Sequence, residues 1–138
     1  MVKVPLRVIL DTNIWISYLI SSKLANIDLL LENGVIRLIF SEESLEEFID
    51  VANQPKFRKF FTPEDIAVLL GLFTYFAEMV EVKSEVVQCR DFKDNFLLAL
   101  AKDSHADYLI TGDKDLLEIG SFESTRILTW SEFEKVVG

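Results

Sequence analysis

The sequence predicts an α/β domain: a mostly parallel five-stranded sheet between two layers of helices. Short, largely apolar runs alternate with helical stretches, which implies right-handed crossovers and a sheet covered on both faces. Strand-like runs at Leu6–Leu10 and Tyr108–Thr111 are followed at once by polar or acidic residues, Asp11-Thr12-Asn13 and Gly112-Asp113. Such positions lie at the carboxyl edge of a parallel sheet, where these folds bind ligands.

Leu6–Leu10 is the first predicted strand, with helices over 14–20 and 25–32 stopped by Asn33-Gly34, a favoured helix terminator. Val35–Phe40 is the second strand, and Ser41 is a plausible cap for the helix that follows. Thr62-Pro63-Glu64-Asp65 opens a helix to about Ala77, with Thr as cap and Pro in the first turn. Met79–Val82 is the third strand, and Asp94 opens a helix to about Ser104. Tyr108–Thr111 is the fourth strand and Ile127–Thr129 the fifth. Ser131-Glu132-Phe133-Glu134 reads as a capping box for a last short helix. No repeat or linker interrupts residues 1–138, which are read as a single domain.

Composition narrows the function. Half of the residues are hydrophobic and 11 are Phe, so a packed core is expected rather than disorder. The apolar runs are too short for a membrane span, and no secretory signal pattern is present, so the expected compartment is the cytoplasm. Cys89 is the only cysteine, which excludes an internal disulfide and a cysteine-rich zinc site. A net charge of -9 argues against general adhesion to nucleic acid. Any nucleic-acid role must be local, through a metal site and a small basic patch.

Four acids carry the chemistry: Asp11, Glu47, Asp94 and Asp113. Carboxylates gathered at one sheet edge repel one another unless protons or a divalent cation relieve them. Asp11 follows the first strand, where Asp11 or Asn13 could equally cap the next helix. Asp94 could also be a cap, but Leu97, Leu98 and Ala101 place it at the head of the buried stripe, aimed toward the strand ends. Gly112 lets the chain turn off its strand and present Asp113 beside Asp11 if their strands are neighbours. Asp115 is either a further ligand or a cap, and Thr111 either holds a carboxylate or fills a strand position. Asp91 is a partner of the acids or a plain loop acid. Glu46 and Glu47 both flank the apolar arc of their helix, and periodicity does not choose between them.

These residues resemble the PIN-domain nuclease family over essentially the whole chain. Leu10-Asp11-Thr12-Asn13 is similar to the family's opening acid motif, Asp94-Asn95-Phe96-Leu97-Leu98-Ala99-Leu100-Ala101 to its third-acid helix, and Leu109-Ile110-Thr111-Gly112-Asp113 to its fourth-acid strand end. Ser41…Glu47-Phe48…Pro55-Lys56-Phe57, Cys89-Arg90-Asp91-Phe92-Lys93-Asp94 and Gly112-Asp113-Lys114-Asp115-Leu116-Leu117 resemble a bacterial and archaeal subgroup described as toxins of toxin–antitoxin pairs. The subgroup's acid lies eight positions before the proline and directly before a hydrophobic residue, which selects Glu47 over Glu46. Phe92 stands where the subgroup often has Pro, a departure expected to alter loop shape rather than chemistry. The resemblance implies strand order 3-2-1-4-5, a single-stranded RNA substrate, an antitoxin partner and a homodimer.

The expected mechanism is metal-assisted phosphodiester hydrolysis with Mg²⁺ or Mn²⁺. Asp11, Asp94 and Asp113 would ligate the principal ion, Glu47 would bind a second ion or orient water, and Asn13, Thr111 and Asp115 would support them. Lys56, Arg58 and Lys59 are the expected backbone-steering cluster, with Phe57 or Phe60 as a stacking surface or as buried packing. Lys93, Lys114 and Arg90 adjoin the acids in sequence and either contact phosphate or balance charge. His105, the only histidine, is expected at a helix end rather than in catalysis. The helix after Pro63, with Leu69, Leu70, Leu72, Phe73 and Phe76, is expected to form core or a dimer face. Two other readings compete. One is a catalytically silent RNA- or protein-binding module of the same fold. The other is a haloacid-dehalogenase-type phosphatase, disfavoured by Asn13 where that chemistry needs a second Asp.

Overall fold

A computed structural model describes residues 4–21 and 26–138. One mixed sheet of six strands runs through it: β1 (Leu6–Leu10), β2 (Ile36–Phe40), β3 (Ala77–Met79), β4 (Tyr108–Ile110), β5 (Ser121–Phe122) and β6 (Thr125–Leu128), in the order β3-β2-β1-β4-β6-β5. All neighbours are parallel except β5 and β6. The helices are α1 (Thr12–Ser21), α2 (Asn26–Glu32), α3 (Glu42–Ala52), α4 (Pro63–Phe76), α5 (Phe92–Ser104), α6 (Lys114–Ile119) and α7 (Trp130–Val137). The predicted start of α2 at Ala25 lies outside the described residues.

The layering follows from side-chain alternation along the strands. Val8, Leu10, Leu38, Phe40, Ile110 and Leu128 enter one core with Trp15 of α1, Phe48 of α3 and Phe133 of α7. Their neighbours Ile9, Ile39, Leu109 and Ile127 enter the other with Leu98 and Leu100 of α5 and Leu116 of α6. Because both faces are covered, the strands read as continuous apolar runs rather than alternating ones. The register Leu10↔Ile110 puts the residues after both central strands side by side.

Several predicted boundaries move. The third strand pairs as Leu38↔Ala77 to Phe40↔Met79, two residues earlier than Met79–Val82. The Val80 N–H still bonds the Phe40 carbonyl at 2.8 Å, and Val80 and Val82 pack on the second core. Asp91, not Asp94, caps α5, its side chain accepting from the Lys93 N–H. The last helix is capped two residues earlier than predicted. Thr129 accepts from the Glu132 N–H at 3.2 Å while Glu132 accepts from the Thr129 N–H at 3.0 Å, and Trp130 and Phe133 then fall on the buried face. The extra edge strand β5 pairs with β6 through a turn with Glu123 at φ 53, a conformation that Glu does not advertise in sequence. In α4, Ile66 is buried and Leu69 and Leu70 are half-buried against the first core, whereas Leu72 and Phe73 lie outside the described side chains.

Candidate metal centre at the carboxyl edge of the sheet

Asp11 leaves β1 with its N–H bonded to the Ile110 carbonyl at 3.0 Å, so the ladder extends to the first acid. Thr111, fully buried after β4, donates its hydroxyl to Asp11 Oδ2 at 2.8 Å and accepts the Asp113 N–H at 3.1 Å. One threonine thereby ties together the acids of two adjacent strands. Asp113 caps α6, accepting from the N–H groups of Asp115 and Leu116. Asp94 sits in the first turn of α5 on the stripe continued by Leu98 and Ala101, and its side chain faces inward. Periodicity anticipated that stripe.

One oxygen each from Asp94, Asp113 and Asp115 lie within 4.8 Å of one another. Asp94 is 5% exposed, and its Oδ2 is buried with no hydrogen-bond partner. Burial, then the charges of Asp113, Asp91, Asp11 and Asp115, push its pKa from 3.8 up to about 6. Burial also raises Asp11, against the hydrogen bonds from Thr111 and Asn13, and the charges of Glu47 and Asp113 add to the rise. A hard cation is the natural partner of crowded, partly desolvated carboxylate oxygens. The donor set fits one, and the unpaired Asp94 oxygen is the atom it would satisfy.

The other predicted residues divide into two groups. Glu47 of α3 adjoins the acids but is engaged elsewhere: Thr12 Oγ1 donates to its Oε2 at 3.4 Å, and Lys93 Nζ lies 3.0 Å from its Oε1. Asn13 contributes its backbone N–H to Asp11 at 3.4 Å, with its side chain exposed. Asp115 also takes Arg90 at 3.1 Å. Lys114 is exposed at the start of α6. Lys56, Arg58 and Lys59 are exposed around the 3-10 turn at Pro55–Phe57, and none forms an ion pair with the acids among the described residues. Phe57 is packed against the first core and stacked on Phe61, so of the two expected stacking rings only Phe60 is exposed.

His105 is the left-handed C-cap of α5, at φ 54. Sequence reasoning missed Asn95, whose side chain accepts from the Gln88 and Cys89 N–H groups and donates to the Cys89 carbonyl, pinning the loop that delivers Asp91 and Asp94. Its place directly after Asp94 was the available signal.

This fold and this acid edge define a class: an α/β domain that concentrates carboxylates at the carboxyl end of its parallel strands. The pattern of the PIN domain family matches residues 7–115. The chain belongs to the PIN domain family, whose members are generally metal-dependent nucleases. It is 32% identical over 125 residues to an uncharacterised protein of Methanocaldococcus jannaschii, MJ1680, a match covering 86% of this chain and 78% of that one. The fold is similar to a chain in the crystal structure of VapBC2 from Rickettsia felis bound to a DNA fragment from their promoter. That match has a TM-score of 0.58 and 16% identity, and it covers 91% of this chain and 99% of the other. Among the described residues no helix is long and apolar enough to cross a membrane.

Proposed function

We propose that residues 1–138 act as one catalytic unit, a Mg²⁺- or Mn²⁺-dependent endoribonuclease that cleaves single-stranded RNA in the cytoplasm as the toxin of a toxin–antitoxin pair. The observation that carries this reading is the buried Asp94 carboxylate, which has one oxygen without a partner and one oxygen within 4.8 Å of oxygens of Asp113 and Asp115. Asp94, Asp113 and Asp115 would hold the ion, with Asp11 completing the set. When bound, the ion neutralises charge on the phosphoryl oxygens and lowers the pKa of a coordinated water. Thr111 fixes the Asp11 carboxylate through its 2.8 Å hydrogen bond. Glu47 holds the Lys93 ammonium beside the acids, where it meets the phosphate of the substrate. Lys114 and the Lys56, Arg58 and Lys59 turn supply weaker, screened attraction to the nucleic-acid backbone. The Rickettsia felis neighbour was crystallised as VapBC2 with promoter DNA, which supports a partner antitoxin here. A homodimer accompanies that assignment.

The test is cleavage of matched single-stranded RNA and DNA by wild type, Asp11→Asn and Asp94→Asn, with Mn²⁺ and with EDTA. RNA cleavage that requires metal and both carboxylates is expected. Activity surviving chelation or either substitution would refute the site. Tight RNA binding without cleavage would favour the silent module, and turnover of small phosphate esters would favour the phosphatase.

A further inference from the structure

Phe92 is the first residue of α5 and is 81% exposed, although a phenyl ring there serves neither core. Its immediate neighbours are committed: Asp91 caps the helix and Lys93 pairs with Glu47. Phe92 and Phe96, one helical turn apart, both line two open clefts. One cleft, of about 260 Å³, is also lined by Glu43, Ser44, Glu47, Lys93 and Leu97. Lys93 directly precedes Asp94 in α5 and the Glu47 charge acts on Asp11, which brings the cleft up to the acid edge. The second, of about 300 Å³, continues on the other side along Val86 and the highly exposed Val87.

The occupant is set by this continuity and by charge. The first cleft combines the Phe92, Phe96 and Leu97 side chains with the Lys93 ammonium, which Glu47 holds, and with Glu43. That arrangement suits a flat base joined to a phosphate. With a net charge of -9 the chain has little long-range attraction for nucleic acid. Stacking does not depend on net charge and adds local affinity to that of the few basic side chains. We propose that Phe92, backed by Phe96, is a stacking platform for the nucleobase adjoining the scissile phosphate, with Lys93 on the phosphate of that nucleotide. This rests on the nuclease reading above and adds the residue that grips the substrate.

The experiment compares wild type, Phe92→Ala and Phe92→Trp on a single-stranded RNA whose cleavage position has been mapped. Versions of that RNA carrying one abasic nucleotide on either side of the cut are included. Phe92→Ala is expected to raise KM about tenfold, within the range that base–aromatic stacking supports, and to change kcat much less. Phe92→Trp restores KM, and the melting temperature is unchanged because the ring is exposed. One abasic position should weaken wild type by a similar factor and add nothing to Phe92→Ala, the signature of a shared contact. An unchanged KM in Phe92→Ala, or an abasic penalty that persists in it, overturns the platform while leaving the nuclease intact. If wild type cleaves nothing, the nuclease reading fails and fluorescence anisotropy with the same oligoribonucleotide decides the platform. Binding weakened by Phe92→Ala and restored by Phe92→Trp supports it, and equal or absent binding overturns it.

Discussion

Replacing Asp94 with Asn should stabilise the metal-free protein near neutral pH while abolishing cleavage, a pairing that a purely structural carboxylate would not produce. Asp94 is buried with one oxygen unpartnered, and burial and its acidic neighbours raise its pKa from 3.8 to about 6. At neutral pH the folded chain therefore holds this group ionised at a penalty of about 3 kcal/mol, each pH unit being worth ~1.4 kcal/mol. Between pH 3.8 and about 6 the folded state binds more protons than the unfolded chain. Stability consequently falls as pH rises through that window, and the full penalty stands above it. The amide carries no charge, but a buried amide with imperfect partners loses about 1–2 kcal/mol. The net gain is about 1–2 kcal/mol, or roughly 3–8 °C in melting temperature for a domain of this size. Thermal melts in EDTA, at neutral pH and at the acid end of the window, measure it. The advantage should shrink on acidification, and added Mn²⁺ should raise the melting temperature of wild type but not of the variant. A variant that melts at or below wild type in EDTA at neutral pH would refute the electrostatic account of the site.

Two further perturbations probe hydrogen-bonded carboxylates, one inside the site and one outside it. Thr111→Val keeps the side-chain shape but strands Asp11 Oδ2 and the Asp113 N–H. A loss of about 2 kcal/mol is expected in urea unfolding, with the acid limb of the cleavage profile moving to higher pH because the hydrogen bond that opposes the rise of Asp11 is gone. Burial pushes Asp103 up, but hydrogen bonds from the Ser84 hydroxyl and the Ser84 and Lys83 N–H groups outweigh it, and its pKa is lowered. That stability is present above the unfolded pKa and lost as pH falls through the folded one. Asp103→Asn should therefore speed amide exchange at Lys83 and Ser84 roughly tenfold at neutral pH, an opening of ~1.4 kcal/mol, and should matter less in acid.

Much of the architecture was legible because local and global preferences agree. Leu6–Leu10 and Tyr108–Ile110 are apolar on both faces, and only a strand covered by helices on each side makes use of that. Asp94 could be placed in the site because its phase relative to Leu98 and Ala101 is a property of the helix alone. Competing local signals failed where only packing arbitrates. Thr129 and Ser131 each precede a Glu by three residues, and the burial of Trp130 and Phe133 selects the first. Val80 and Val82 look like strand, yet only Val80 still bonds β2, through the Phe40 carbonyl, and Val82 serves core packing alone.

The sequence alone determined that carboxylates would gather where strands end, since strand-end position and helical phase are encoded within a few residues. Which of them face one another, only the folded chain decided. Asp115 joins Asp94 and Asp113 within 4.8 Å, whereas Glu47 turns to Lys93 and Thr12. The reason is that α3, α5 and α6 approach the sheet edge from separate parts of the chain. A side chain's partner there is fixed by the relative placement of those helices, which no local pattern records.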